Sequence, residues 1–166
     1  ENYNLVYIHN KGSSHDLNNT YINDWCEICN YFTIDMWKLN VILLNFYSCI
    51  GINLMQYPLP HFSGNCWWST GTHLNKLKER IGNKYLDPEM YLLNKIQINN
   101  THDKVYQPNP LCIYKSIGHH AGANYNPSIY QNLLVSEILD RIPTNYIYTN
   151  HGDNIPTNIN RITFEQ

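Results

Sequence analysis

The chain alternates between short runs of β-forming residues and longer segments with helical periodicity. Asn4–His9 is a short apolar run typical of a buried strand, and a helical pattern of apolar residues begins near Asp24. Thr33 is placed to cap a second helix, and Asn126 with Pro127 to begin a late one. This mixture of strands and helices along one chain predicts an α/β or α+β fold.

Length and charge narrow the function classes. A chain of 166 residues suits a single domain that buries a substantial core. The 11 Lys and Arg residues do not outnumber the 13 Asp and Glu residues, which excludes an electrostatic nucleic-acid binder. The longest apolar runs fall well short of the roughly 20 residues of a membrane span, so we expect none.

The five cysteines are odd in number and irregular in spacing, which disfavours a disulfide framework and predicts a reducing compartment, the cytoplasm. Cys26 and Cys29 have the spacing of a zinc or redox pair, but no second ligand pair follows at a matching distance. We interpret them as two ordinary thiols on one helical face.

The segment from His61 to Trp68 holds the densest chemistry in the sequence. It combines a glycine, three hydrogen-bonding side chains and three aromatic rings in eight positions. Gly64 permits close backbone approach to a ligand, Ser63 and Asn65 supply short polar groups, and the paired tryptophans offer a platform for a sugar ring. The same residue types fit a core strand with buried indoles equally well.

Two further polar clusters stand at the predicted ends of secondary structure. His9 to Ser14 follows the first strand, where a lysine, a glycine and hydroxyls can hold phosphate oxygens, although such residues are also common in solvated turns. Asp87-Pro88-Glu89 opens a helical turn, where a carboxylate is usually a favourable N-terminal charge. Its functional alternative is a general base.

Taken together, these segments resemble a group of glycosyltransferases found in bacteria, eukaryotic microbes and large DNA viruses. The group shares a Y-x-H-T-K-G strand end, a P-H-F-S-G-N-F-W-W block and a later D-x-E turn, and the resemblance covers about residues 3–93. Asn10 replaces the usual Thr and Cys66 the usual Phe. The matching residues are Val6–Gly12, Trp25, Gly51–Asn53, Pro60–Trp68 and Glu89.

The resemblance implies an α/β, Rossmann-like GT-A fold that moves a sugar from a nucleotide-sugar donor to a hydroxyl of a glycan or other acceptor, with inversion. It implies one glycosyltransferase-like domain over residues 1–166, the C-terminal part of a larger GT-A-type domain. The earlier nucleotide-binding strands are not visible in the sequence. The chain is then either a fragment or a truncated or divergent form.

The resemblance also implies roles for individual residues. Glu89 would be the catalytic base. The donor would contact His9, Lys11, Gly12 and Ser13. The acceptor would contact His61, Ser63, Gly64, Asn65, Trp67 and Trp68.

Two points stay open at this stage. No Asp-x-Asp motif is seen and no metal ligand is assigned, so a divalent Mn or Mg ion is an option, with Lys11 offsetting the diphosphate charge in its place. The alternative function is a non-catalytic carbohydrate-binding or interaction domain. For a viral protein, the cytoplasm expected above would be that of the host.

Overall fold

A four-stranded mixed sheet lies at the centre of the computed structural model, which describes residues 3–9, 20–77, 81–84, 86–94, 96–97, 105–106, 108–116, 126–133 and 137–138. Its strands are β1 (Asn4–Tyr7), β2 (Cys49–Ile52), β5 (Trp67–Thr70) and β8 (Pro110–Tyr114). Across the sheet they lie in the order β1-β5-β2-β8. The predicted mixture of helices and strands in an α/β arrangement is confirmed.

The strand directions bring three carboxyl ends to one side of the sheet. Strands β1 and β2 both pair antiparallel with β5, and β8 pairs parallel with β2. Therefore β1, β2 and β8 run in the same direction, and β5 runs against them. Loops that follow β1, β2 and β8 emerge together with the loop that precedes β5.

The predicted first strand is present, but the prediction that it is buried is wrong. Leu5 and Val6 are each 39% exposed, and Tyr7 is 37% exposed. The physical reason is position: β1 is the outermost strand of the sheet, where β5 is its only neighbour among the described strands. An apolar run alone does not distinguish an edge strand from a central one.

One face of the sheet is covered by α1 (Thr20–Asn30), a π-helical segment (Tyr31–Asp35) and α2 (Trp37–Leu43). We call these elements the helical layer. Two helices are found where two were predicted, but Thr33 is not a cap. It lies buried inside the π-helical segment, where the Met36 N–H bonds the Tyr31 carbonyl at 3.0 Å and the helix continues through a wider turn.

The opposite face packs against short elements. They are the hairpin of β3 (Leu54–Met55) and β4 (His61–Phe62), then α3 (Gly71–Leu74) and α4 (Asp87–Met90). The Phe62 ring lies directly on Gly51, because a Cβ there would approach Phe62 Cγ to 2.6 Å. A glycine in the central strand therefore lets the hairpin pack closely against the sheet.

The remaining described elements are small. Strands β6 (Ile96–Gln97) and β7 (Val105–Tyr106) form a two-stranded antiparallel pair. Asn126 begins a 3₁₀ turn (Pro127–Ile129), and its Oδ1 accepts from the Ser128 N–H at 3.0 Å, so the predicted capping contact is present. The predicted helix is not, because the described residues 130–133 that follow this three-residue turn are not helical. No helix of the described segments is both long and apolar enough to cross a membrane.

Candidate functional site

A group of polar residues meets where the parallel strands β2 and β8 end. We call it the strand-end cluster. It consists of Asn53, Ser63, Gly64, Glu89 and Ser116. In open α/β sheets, ligands bind beyond the carboxyl ends of the strands, so this is the part of the fold where a site is expected.

Asn53 joins the segments of the cluster through its backbone. It follows β2 with a left-handed φ of 50° and is 1% exposed. Its N–H donates to the Tyr114 carbonyl of β8 at 2.8 Å, and its carbonyl accepts from the Ser63 N–H at 3.1 Å. Asparagine tolerates this backbone region better than most residues, so the sequence permits a sharp turn at this junction.

The side chain of Asn53 has a determined orientation. Its Oδ1 accepts from the Ser116 N–H at 2.8 Å and from the Ser116 hydroxyl at 2.9 Å. Because a backbone N–H can only donate, the oxygen must face Ser116 and the amide nitrogen must face away from it. That nitrogen, Nδ2, is buried and has no hydrogen-bond partner among the described residues.

Glu89 reaches the cluster from α4. Pro88 and the acidic Asp87 and Glu89 occupy the first turn of this helix, a favourable arrangement at a helix N-terminus. Glu89 Oε1 accepts from the Gly64 N–H at 3.0 Å. Two residues predicted from separate motifs are thus brought into direct contact.

Position 64 requires a glycine. Its φ is +94°, and a Cβ would stand 3.2 Å from both Trp25 Nε1 and Cys29 Sγ. The backbone therefore passes close to α1 while its N–H points to Glu89. The prediction that a ligand approaches the Gly64 backbone closely stays a prediction, because the atoms that come close here belong to protein side chains.

The two tryptophans have internal partners. Trp67 is 7% exposed, and its Nε1–H donates to Asn65 Oδ1 at 2.8 Å. Trp68, half-buried on the opposite face, donates from Nε1 to the Thr33 carbonyl at 2.7 Å. Sugar stacking on these indoles and hydroxyl binding by Asn65 stay predictions, because the polar atoms named for those contacts already hold the fold together.

An exposed aromatic ring lies beside Trp67. The Tyr7 ring stacks on the indole with centroids 5.1 Å apart and planes 19° from parallel. Tyr7 is 37% exposed, whereas the indole beneath it is almost covered. Of the two stacked rings, Tyr7 is the one that a ligand can reach.

Of the other predicted contact residues, His61 and His9 are among the described residues and three are not. His61 is 7% exposed, and its Nδ1 donates to the Leu59 carbonyl at 2.7 Å, within the hairpin. His9 is exposed and follows β1. Because Tyr7, the last residue of β1, pairs with Trp67, the first residue of β5, His9 lies at the same end of the sheet as Asn65. Lys11, Gly12 and Ser13 lie outside the described residues.

The cysteines and the metal-ligating side chains are the other reactive groups among the described residues. All five cysteines are thiols, and burial raises the pKa of Cys49 to about 12 and also raises that of Cys112, so neither is an activated nucleophile. Among the described residues, no group of three or more His, Cys, Asp or Glu side chains is placed to hold a metal ion.

Sequence reasoning missed Asn53, Ser116 and Tyr7 as members of this region. Asn53 belongs to the Gly51–Asn53 segment of the resemblance but received no role. The available signal was its position after a continuous apolar strand, where α/β folds place ligand-binding groups.

Comparisons of the chain with protein-family models, curated proteins and solved structures give no match.

Proposed function

We propose that the chain is a GT-A-like glycosyltransferase domain that moves a sugar from a nucleotide-sugar donor to a hydroxyl acceptor. The observation that carries the proposal is the contact between Glu89 and the Gly64 N–H beside the ends of β2 and β8. It gives the carboxylate a fixed place in the region where this class of fold binds ligands. The sequence resemblance supplies the reaction class.

Glu89 acts in this proposal as the general base. The Gly64 N–H occupies Oε1 and leaves Oε2 for the acceptor. Oε2 removes the proton of the acceptor hydroxyl as that oxygen attacks the anomeric carbon of the donor. The bond from the anomeric carbon to the diphosphate oxygen breaks at the same time, and the nucleoside diphosphate leaves with the electron pair. Attack opposite the leaving group inverts the anomeric centre.

For sugar stacking this proposal favours Tyr7 over the tryptophans that the resemblance implies, whose stacking role no contact tests. Its ring is held flat against Trp67 and remains accessible. A rigid aromatic face of this kind binds the apolar face of a pyranose ring without ordering a flexible side chain. Trp67 then acts as the support of the platform.

The donor diphosphate needs positive charge near the strand ends. Lys11 is the residue that the resemblance implies for this role. Within the described residues, exposed Lys115 follows the end of β8, one position before Ser116, and supplies a cation at the same side of the sheet. A charge-assisted contact to phosphate is stronger than a neutral hydrogen bond.

The alternative is a carbohydrate-binding domain without transfer chemistry. Its supporting observation is the Tyr7 platform, which serves sugar binding whether or not a donor is used. The two functions differ in their response to nucleotides, because only a transferase has reason to bind a nucleoside diphosphate.

Thermal unfolding with a ligand panel separates them. UDP, GDP and their sugar conjugates are tested with and without Mn, beside free monosaccharides. A ligand at 100 times its Kd stabilises the folded state by about 2.7 kcal/mol, equivalent to a Tm rise of roughly 5–10 °C for a chain of this size. Stabilisation by a nucleotide supports the transferase. Stabilisation by sugars alone supports the binding domain, and no response to either contradicts both.

A further inference from the structure

We infer that the side-chain amide of Asn53 is a binding group for a hydroxyl of a neutral sugar, the acceptor, in the strand-end cluster. The inference deepens the proposed function, on whose site it rests, by naming a contact and the class of acceptor. It assigns to Asn53 the role that the sequence had given to Asn65.

The first step is the unmet hydrogen-bonding capacity of Asn53. The Ser116 donors hold Oδ1, so the amide cannot rotate to hide its N–H groups without losing both bonds. Nδ2 is buried and has no partner among the described residues. A buried donor without an acceptor is unfavourable, and in native proteins such a group calls for an explanation, such as stored strain, a role in catalysis or a bound water or ion.

The second step is what surrounds that amide. The Asn53 carbonyl holds the Ser63 N–H, and the next residue, Gly64, holds Glu89. The described contact of Ser63 uses its backbone, which leaves its hydroxyl available. Glu89 likewise has a second carboxylate oxygen beyond the one that Gly64 occupies. The segments that carry these three groups adjoin one another through two hydrogen bonds and one peptide bond, and the inferred ligand bridges them.

The third step is the chemical class of that ligand. The available groups are an amide donor, a hydroxyl that both donates and accepts, and a carboxylate acceptor. Glu89 is the one charged side chain among the five residues of the cluster, so a phosphate beside it would meet repulsion, and the proposed place of the diphosphate is instead on the Lys115 side of the strand ends. A sugar with neighbouring hydroxyls matches this set, because each hydroxyl can donate to one group and accept from another.

Asn65 is the less suitable of the two asparagines. Its Oδ1 accepts the Trp67 indole N–H at 2.8 Å, and that bond fixes the ring on which Tyr7 stacks. A ligand that bound this oxygen would compete with the support of the platform. Asn53 Nδ2 holds no protein hydrogen bond that a ligand would have to replace, but it is covered in this structure, so contact requires that cover to shift.

The test is to follow side-chain amide signals by ¹H–¹⁵N correlation NMR during titration with methyl glucoside, methyl galactoside and methyl mannoside, without nucleotide. The Asn53 signal is identified by its loss in Asn53→Asp, which keeps the Oδ1 acceptor and tolerates the backbone. Asn40 is the matched internal control, because it is also buried, and its Nδ2 donates to the Phe32 carbonyl at 2.7 Å, within the helical layer.

We expect the Asn53 signal to move with at least one glycoside while the Asn40 signal stays, and Asn53→Asp to weaken that glycoside by about tenfold or more. If Asn53→Asp does not fold, Asn53→Gly, which also accepts a positive φ, replaces it. An Asn53 signal that no glycoside moves overturns the inference. So does equal movement of both signals. A glycoside effect without any nucleotide effect on Tm leaves this inference in place and removes the transferase.

Discussion

The helical layer and the strand-end cluster both bury polar side chains, but they use them differently. In the helical layer, Asn40 and Trp68 donate to the carbonyls of Phe32 and Thr33 in the π-helical segment. Those bonds stabilise an irregular backbone. In the strand-end cluster, Asn53 and Glu89 also hold backbone segments in place. Each keeps one polar atom that these bonds do not use, Nδ2 of Asn53 and Oε2 of Glu89. The comparison separates polar groups that complete the fold from polar groups that remain available for a ligand.

Available polar atoms alone do not make a site. Asn40 Oδ1 in the helical layer, and the hydroxyl of Tyr130, which packs against that layer, are also buried without a partner among the described residues. The Tyr130 ring packs against the rings of Tyr31, Phe32 and Tyr114. Burial raises the pKa of Tyr130, so its hydroxyl stays neutral. What distinguishes Asn53 is a set of complementary polar neighbours at the ends of parallel strands.

The largest expected effect is on turnover by Glu89→Gln. The amide oxygen of glutamine can still accept from Gly64, but the side chain can no longer remove a proton. We expect turnover of a nucleotide sugar to fall by roughly 10²–10⁴-fold with little change in Tm. Initial rates measure this at saturating donor.

Asp87→Asn is the matched control for Glu89→Gln. Asp87 lies in the same turn, but its Oδ2 accepts from the Lys84 N–H at 2.8 Å, away from Gly64. Turnover should stay within a few-fold of the unsubstituted protein. Equal losses in both variants would show that general damage to α4, rather than a base, is being measured.

The next effect in size is a loss of stability in acid. It originates in His73, on the face of the sheet that also packs against α4. His73 of α3 donates from Nε2 to the Leu92 carbonyl at 2.9 Å, and burial lowers its pKa from 6.5 to about 4. Between these two values the unfolded chain binds a proton that the folded chain refuses. Stability is therefore fully present above pH 6.5 and declines toward pH 4, by about 3 kcal/mol in total.

Urea unfolding at several pH values measures this decline. His73→Gln removes the titrating group and should flatten the profile in that window. If the profile keeps its slope in the variant, other groups are responsible and the buried histidine is not the acid-sensitive element.

A smaller effect, on stability, is expected from Trp68→Phe, which tests the bond from the sheet to the helical layer. The variant loses the indole donor and leaves the buried Thr33 carbonyl without it, at a cost of about 1–3 kcal/mol. Chemical denaturation measures the loss. Binding of glycosides by the folded variant should be unchanged, and a weakened affinity would contradict a purely structural role for this tryptophan.

The smallest effect is expected from Tyr130→Phe. Because the hydroxyl is buried and has no described partner, its removal should leave stability unchanged or raise it by up to about 1 kcal/mol. Thermal unfolding checks this. A loss of more than about 1 kcal/mol would reveal a hydrogen bond that the aromatic cluster depends on.

The sequence was informative where the signal is local. Apolar spacing located both helices and the acidic residues located the turn at Glu89, because periodicity and capping depend on near neighbours. The exposure of β1 was not predictable from its residues, since it depends on sheet order. Thr33 was misassigned because a π-helical turn is stabilised by donors distant in sequence, among them Trp68.

The candidate site was predictable only in part for the same reason. Gly64 and Glu89 were both named, but the hydrogen bond between them joins residues 25 positions apart and follows from the packing of α4 beside β4. Asn53 was overlooked because its role depends on the parallel pairing of β2 with a strand that begins at Pro110. Such long-range pairings leave little trace in a single sequence.

Sugar transfer is best tested by the release of nucleoside diphosphate from UDP-sugars and GDP-sugars by the purified protein, with and without a sugar acceptor. We expect release that rises with acceptor and is accompanied by a glycoside product of inverted anomeric configuration. A folded protein that binds glycosides but releases no nucleoside diphosphate with any donor, with or without Mn, would contradict sugar transfer at the strand-end cluster.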